Sequence, residues 1–163
     1  MRGNYVEVAE YLLRVTARLE RYGIALRLPG ATDELEILED PAGDLSFELL
    51  GDLPDPAIPS RSEVIVRERF DRVGPDQYAR TGYEYEILDR ERDYRRSFHL
   101  HDPEWFRREF LVVVHEHCES PAGHVSCKHY EGAPVKDADA GIEALMDVWT
   151  GPPPDCSRLT CLG

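Results

Sequence analysis

The sequence predicts an α+β fold, in which a largely antiparallel β-sheet, arranged as a meander, is packed by an N-terminal and a C-terminal helix. Apolar residues recur at helical spacing near both ends of the chain, alternating strand patterns fill the middle, and short turns join those strands. The 163 residues, 42% of them hydrophobic, suit one domain with a substantial core. We assign residues 1–155 to a single α+β domain that contains a Pro-rich loop at 51–62, and residues 156–163 to a Cys-containing C-terminal tail.

The N-terminal helix is predicted from its start signal, its apolar spacing and its stop signal. Asn4 followed by Glu7 has the pattern of a capping box. Apolar side chains then recur at helical spacing from Tyr5 to Leu19, and Gly23 supplies the stop. Short strands are predicted next, at residues 24–28, 35–38 and 45–49.

An antiparallel meander is predicted from residue 63 onward. Residues 74–77 (Gly-Pro-Asp-Gln) are typical of a tight turn. Residues 102–106 predict a short helical connection, because a proline follows an aspartate that can cap it. A closing helix is expected to begin at Asp137 or Asp139. The strands of the meander are predicted at residues 63–73, 78–88, 94–101, 110–119 and 124–130.

The turn between the last two strands predicts their register. Residues 120–124 (Ser-Pro-Ala-Gly-His) have the signature of a three-residue hairpin loop, with proline where a type I turn favours it and glycine at the left-handed position. The resulting register also places opposite charges directly across the two strands, which is favourable. The predicted pairs are His117 with Cys127, His115 with His129, and Glu116 with Lys128.

A histidine cluster is predicted on one face of this sheet. His99 and His101 share a face of their strand by alternation. If that strand pairs with strand 110–119 through the 102–109 connection, the face gathers several further side chains. The predicted cluster is His99, His101, His115, His117, Cys127 and His129.

These residue types point either to proton transfer or to metal binding. Imidazoles titrate at a pKa of about 6.5, so neighbouring pairs can act as acid and base. Three His, or two His with one Cys, also leave an open catalytic position on zinc. The candidate catalytic residues are His99, His101, His115, His117, Arg95 and Arg96, with Arg80 as a further cation for a phosphate and Tyr83 or Tyr85 as assisting groups. The candidate ligands for Zn²⁺ are His115, His117, Cys127 and His129.

The net charge of −13 argues against nonspecific binding of nucleic acid, which needs clustered Lys and Arg. The charge is uneven along the chain, however. Residues 63–131 carry 15 acidic and 11 basic side chains, and the flanking segments carry most of the net negative charge. The acidic flanks suit a basic protein partner, and a phosphate-binding site in the middle of the chain stays compatible with the composition.

No membrane span or secretory signal is predicted, so we expect a cytoplasmic protein without a membrane partner. The longest apolar run, Phe110–Val114, is far shorter than a span of about 20 residues. Four cysteines at this length do not form a secreted disulfide scaffold. Cys118 is expected to be a core thiol, and Cys156 and Cys161 to be a tail disulfide or surface thiols.

One segment of the sequence resembles the small TumE-like toxins of bacterial toxin–antitoxin systems. The matching residues are Phe98–His101, then His115–His117, and then Asp139–Trp149 as the closing helix, within residues 78–150. The Cys127-Lys128-His129 segment, the cysteine-containing tail and the acidic first 60 residues depart from that pattern. The resemblance implies a cytoplasmic toxin that acts on RNA and is neutralised by a cognate antitoxin.

Two functional hypotheses therefore stand beside each other. The first is a small hydrolase-like enzyme, a ribonuclease-type toxin that uses the histidine cluster on the sheet face. The second is a non-catalytic acidic interaction or inhibitor protein that docks on a basic partner, with the His/Cys cluster structural or stapled by zinc. The sequence does not decide whether the chain is an enzyme.

Overall fold

The computed structural model describes residues 1–27, 35–54, 62–89, 94–100, 114–119, 125–130 and 135–150. Within these ranges the predicted α+β class is confirmed, because two helices accompany one largely antiparallel sheet. The helices are α1 (Tyr5–Arg21) and α2 (Ala138–Thr150). The strands are β1 (Arg2–Gly3), β2 (Ala25–Arg27), β3 (Leu38–Glu39), β4 (Leu45–Asp52), β5 (Glu63–Gly74), β6 (Gln77–Asp89), β7 (Tyr94–Leu100), β8 (Val114–Glu119) and β9 (Val125–Tyr130).

Helix α1 begins and ends where the sequence predicts. The Asn4 side chain accepts a hydrogen bond from the Glu7 amide at 3.0 Å, and the Glu7 carboxylate accepts one from the Asn4 amide at 2.7 Å. This capping box satisfies amide donors that have no partner within the helix. Gly23 follows the helix at a φ of 75°, a conformation that favours glycine.

The sheet is a meander over most of its width. Strands β4 to β9 lie side by side in chain order and pair antiparallel, and β2 adds to the free edge of β4. The short strand β1 pairs with β6, and the short strand β3 pairs with β4. Short connections can join antiparallel neighbours directly. The hydrogen-bond ladder between two such strands then gives residues of one strand defined partners on the next.

Several predicted boundaries differ from the observed ones. The strand predicted at residues 35–38 is wrong in extent, since pairing with β4 occurs only at Leu38–Glu39. Of the two cap candidates, Asp137 is the one used, because its side chain accepts from the Ala140 amide at 3.0 Å. The predicted helical connection at 102–106, most of the Pro-rich loop and the tail at 156–163 lie outside the described residues.

The two faces of the sheet have different surroundings. One face, here called the helix-covered face, packs against both helices: Tyr11 of α1 contacts the rings of Phe47 and Phe70, and Gly141 of α2 lies against Tyr85. Alternation sends Leu45, Phe47 and Leu49 of β4 to this side, and all are buried. The opposite face, here called the polar face, carries Glu48, Arg67, Glu84, Glu86, Ser97 and His99.

Among the described helices, neither is long and apolar enough to cross a membrane.

The contact of α2 with the sheet depends on the missing side chain of Gly141. A methyl group there would come within 2.8 Å of Cε2 of Tyr85, a fully buried ring. We expect Gly141→Ala to lower the free energy of unfolding by about 1–3 kcal/mol through overpacking. Urea unfolding measures this change.

Gly82→Ala is the matched control, because its added methyl group would lie 3.6 Å from Cβ of Arg69, an ordinary contact. Equal stability of the Gly141→Ala variant and the wild type would contradict the close packing of α2 on Tyr85.

Candidate functional site

The polar face aligns the candidate histidines in two neighbouring rows that cross four strands. In the first row, Glu84 pairs with His99, His99 with His115, and His115 with His129. In the second row, the consecutive partners are Glu86, Ser97, His117 and Cys127. Because residues two apart on a strand share a face, the two rows form one grid, here called the histidine grid.

The register predicted from the hairpin turn is confirmed. His117 pairs with Cys127, His115 with His129, and Glu116 with Lys128. The predicted pairing of the preceding strand with β8 is also confirmed. His101, the remaining member of the predicted cluster, lies outside the described residues.

His99 is held on both sides of its ring by neighbours in the grid. Its Nε2 forms a hydrogen bond with the hydroxyl of Ser97, two residues earlier on the same strand. Its Nδ1 lies 3.7 Å from Oε1 of Glu84 on β6. The imidazole therefore has a hydroxyl on one nitrogen and a carboxylate beside the other, an arrangement that fixes its orientation.

Arginines neutralise the carboxylates that flank His99. Arg67 forms ion pairs with Glu48 on β4 and, at 2.8 Å, with Oε2 of Glu84 on β6. Arg95 donates to Glu86 from its Nε at 2.8 Å. These pairs run along the polar face as a ladder of alternating charge, and they leave Oε1 of Glu84 on the side of His99.

Three side chains of the grid come close enough to hold one metal ion. Glu84, Glu86 and His99 each offer one ligand atom, and these atoms lie within 4.8 Å of one another. Sequence reasoning selected His99 but missed both glutamates. The signal that could have found them is the alternation of β6, which places Glu84 and Glu86 on one face beside the strand that carries His99.

A groove borders the grid on the polar face. It has a volume of about 420 Å³, and its lining includes Leu38, Arg67, Arg69, Gly82, Glu84 and His99. This volume falls in the range of small-molecule sites, about 300–1,000 Å³. His99 is thus both a member of the grid and a wall of the groove.

The structure separates two predicted cations from the histidines. Arg96 follows Arg95 on β7, so alternation places it on the opposite face from His99. Arg80 lies on the helix-covered face, where its side chain is only 8% exposed and pairs with Glu68 at 3.2 Å. Of the predicted arginines, Arg95 alone shares the polar face with His99.

Tyr83 and Tyr85 also face the helices rather than the histidine grid. Both are buried, and their rings stack at 4.7 Å. Burial raises the pKa of Tyr83 to about 12. Neither hydroxyl is therefore placed to assist chemistry on the polar face.

A buried polar cluster around Glu68 lies beneath the helices and was missed by sequence reasoning. Glu68 accepts hydrogen bonds from Tyr11 at 2.7 Å and from Tyr85, and Arg80 also bonds Tyr85 at 3.0 Å. The Tyr11 hydroxyl in turn accepts from the amide of Ala138 at 3.0 Å. The cluster therefore links α1, the sheet and the first turn of α2.

A β-bulge turns Arg80 into this cluster. Arg69 pairs with Gly82, but its neighbour Phe70 pairs with Arg80, so Thr81 is the extra residue of β6. Without the bulge, alternation from Tyr83 would send Arg80 to the polar face. The bulge is the reason why this arginine meets Glu68 instead of the histidines.

Comparisons with known proteins found no matching family model, no matching curated protein and no matching solved structure. The resemblance to TumE-like toxins therefore stays a prediction.

The Glu68 cluster predicts a pH dependence of stability. Burial raises the pKa of Glu68, and the donors from Arg80, Tyr85 and Tyr11 oppose this shift only in part. The folded protein then keeps the Glu68 proton at a pH where the unfolded chain has lost it, so the stabilisation decreases as the pH rises above the ordinary value of about 4.3. We expect Glu68→Gln to flatten this decrease in urea unfolding measured across pH.

Glu48→Gln is the control for that measurement, since Glu48 lies on the polar face and pairs with Arg67. It should keep the slope of the wild type. An unchanged slope in Glu68→Gln would show that the Glu68 carboxyl ionises equally in the folded and unfolded chains.

Proposed function

We propose that the polar face is the active surface of a small hydrolase that cleaves phosphodiester bonds in RNA. The observation that carries this proposal is the histidine grid, which aligns His99, His115 and His129 on three consecutive strands and sets His117 in the adjoining row. Neighbouring imidazoles provide one group that accepts a proton and one that donates a proton at neutral pH.

RNA suits this chemistry because its ribose carries an internal nucleophile. One histidine takes the proton of the 2′-hydroxyl as that oxygen bonds to phosphorus. A second histidine gives a proton to the 5′-oxygen as the bond from phosphorus to that oxygen breaks. The products are a cyclic phosphate and a 5′-hydroxyl, and water then opens the cyclic phosphate by the reverse proton transfers.

The groove beside the grid supports an anionic, nucleotide-sized substrate. Its volume is about 420 Å³, and Arg67, Arg69 and His99 are among its lining residues. Both arginines are already paired with carboxylates, so a phosphate would share these cations with Glu84 and Asp44. Arginine guanidinium groups match the geometry of phosphate oxygens. A phosphate bound near these arginines would share the groove with His99.

The resemblance to TumE-like toxins favours the same activity. A ribonuclease of this kind acting in the cytoplasm would arrest growth unless a partner blocked its polar face. We therefore propose that the chain acts as a toxin that is held inactive by an antitoxin protein.

Substitution within the grid should slow cleavage strongly. We expect purified wild-type protein to cleave a fluorogenic RNA oligonucleotide and to leave the DNA version intact, since DNA lacks the 2′-hydroxyl. His115→Ala and His117→Ala should each lower the cleavage rate by about 10²–10⁴-fold, the usual contribution of a general acid or base. The rate of fluorescence increase measures this loss.

His124→Ala is the control, because it removes a histidine that is not one of the candidate catalytic residues. It should retain the wild-type rate. A wild-type protein that leaves RNA intact would overturn the proposal and favour the acidic binding protein instead. Cleavage of the DNA oligonucleotide at the same rate would exclude the 2′-hydroxyl mechanism.

Filling the groove should also block cleavage without unfolding the protein. A Cβ atom added at Gly82 meets only ordinary contacts, 3.6 Å from Cβ of Arg69 and 3.7 Å from the Leu100 carbonyl oxygen. We expect Gly82→Val to keep its thermal stability and to bind the RNA oligonucleotide at least about tenfold more weakly, because the valine occupies substrate space.

Gly74→Val supplies a comparison on the same sheet and away from the groove lining. Full RNA affinity in Gly82→Val would show that the substrate does not use this groove.

A further inference from the structure

We propose that Glu84, Glu86 and His99 form a binding site for one divalent transition-metal ion, for which Zn²⁺ is the best match. Glu84 is the direct partner of His99 across β6 and β7, and Glu86 is its diagonal neighbour. One ligand atom from each of the three side chains lies within 4.8 Å of the other two. The site therefore lies wholly on two adjacent strands of the polar face.

The spacing of the three atoms fits a metal ion after a small contraction. An ion at the centre of this triangle lies at most roughly 2.8 Å from each atom, so a movement of less than about 1 Å brings each atom to the 2.0–2.2 Å of zinc coordination. Two of the atoms are closer still. Oε1 of Glu84 and Nδ1 of His99 lie 3.7 Å apart, and two ligands of tetrahedral zinc lie roughly 3.3–3.5 Å apart.

Both glutamates pair with an arginine, and in each case the arginine bonds one oxygen. Arg67 donates to Oε2 of Glu84 at 2.8 Å, and Arg95 donates both of its hydrogen bonds to Oε2 of Glu86. An ionised carboxylate has about four lone-pair sites on two oxygens, so it can accept from an arginine and bind a metal at the same time. Carboxylates that ligate a metal are commonly hydrogen-bonded in this way, and the arginines orient both glutamates alike.

The imidazole of His99 is also oriented by a hydrogen bond. The Ser97 hydroxyl bonds Nε2, and Nδ1 lies on the side of Glu84. With a metal ion on Nδ1, the proton of the neutral ring is on Nε2 and is donated to the Ser97 oxygen. Such a bond on the second nitrogen fixes the tautomer and the orientation of most histidine ligands.

The charge balance around the site favours a cation. Among the described side chains of this network, two guanidinium groups, those of Arg67 and Arg95, pair with three carboxylates, those of Glu48, Glu84 and Glu86. One negative charge is therefore uncompensated in this set while His99 is neutral. The side chain of Glu86 is only 8% exposed and that of His99 13%, so the unbalanced charge lies where water screens it poorly. A divalent ion supplies the missing positive charge.

The donor set selects a transition-metal ion over an alkaline-earth ion. Mg²⁺ and Ca²⁺ prefer an all-oxygen shell, whereas one of the three ligands here is an imidazole nitrogen. Zn²⁺ binds both imidazole and carboxylate, and Mn²⁺ binds such sites more weakly. Three protein ligands leave the fourth position of zinc open.

The open position faces the use that the groove makes of the ion, and this part rests on the proposed function. Glu84 and His99 both line the groove, and its arginines are already paired with carboxylates. The ion supplies the groove with a cation that withdraws charge from a phosphoryl oxygen. His99 is then a metal ligand, and proton transfer is left to the other histidines of the grid.

Metal titration of the full chain tests the site. After dialysis against a chelator, and with a reductant present, we expect the wild type to bind one equivalent of Zn²⁺ by calorimetry, to bind Mn²⁺ more weakly and to show no measurable heat with Mg²⁺. Glu84→Gln, Glu86→Gln and His99→Gln should each weaken Zn²⁺ binding by about tenfold or more.

Asp52→Asn is the matched control, because it removes a carboxylate that pairs with Arg27 and lies on neither β6 nor β7. It should bind Zn²⁺ like the wild type. Circular dichroism checks folding, and the more exposed Glu84→Gln decides the test if Glu86→Gln unfolds. No binding by the wild type, or an equal loss in Asp52→Asn, would overturn the site.

Two further results would overturn the ligand set. Mg²⁺ binding as tight as that of Zn²⁺ would exclude the imidazole, and a thiolate absorption band with Co²⁺ that is lost in Cys127→Ser would place the ion elsewhere. The metal site and the proposed function can fail separately. Stoichiometric Zn²⁺ binding without cleavage of RNA would refute the function and leave the site, whereas cleavage by chelator-treated protein that binds no Zn²⁺ would refute the site alone.

Discussion

The antiparallel register of the meander is the constraint on which the rest of the structure depends. Because side chains alternate and each strand pairs directly with the next, one choice of register assigns every residue of β4 to β9 to a face. A shift by one residue in any strand would exchange its apolar and polar side chains between the faces. The apolar core under the helices and the histidine grid are therefore two results of the same pairing.

The core confirms this register energetically. Burying Leu45, Phe47, Val66 and Tyr85 together is possible only when their strands align as observed, and each large apolar side chain contributes about 1.5–3 kcal/mol on burial. The polar face contributes far less, because exposed ion pairs are worth about 0–1 kcal/mol each. His99 is consequently held in place by the core on the opposite side of its strand, where Tyr94 and Phe98 are buried.

The sequence predicts the parts of this protein that depend on local periodicity. The α1 capping box, the order of the strands and the hairpin register from Ser120 to His124 all follow from short-range patterns. The Glu68 cluster does not, because it joins Tyr11, Glu68 and Ala138 across large separations in the chain. Arg80 faces Glu68 only because of the bulge at Thr81, which inserts one extra residue into β6.

The same limit explains why the glutamates of the site were missed. His99 stands out in the sequence because histidines are few, whereas Glu84 is one of many acidic residues in an alternating strand. Only the pairing of β6 with β7 shows that Glu84 is the direct neighbour of His99. Sequence patterns thus identify candidate groups, and the register decides which of them meet.

The register also decides how the net charge of −13 acts at the site. Charges beyond about 8 Å are largely screened at physiological ionic strength, so the acidic flanks matter less than the neighbours in the ladder. There, Arg67 bridges Glu48 and Glu84, and Arg95 compensates Glu86. Compensated carboxylates repel a phosphate weakly, yet Oε1 of Glu84 stays directed at His99. The compensation of these carboxylates is therefore what makes the proposed anionic substrate compatible with a chain of net charge −13.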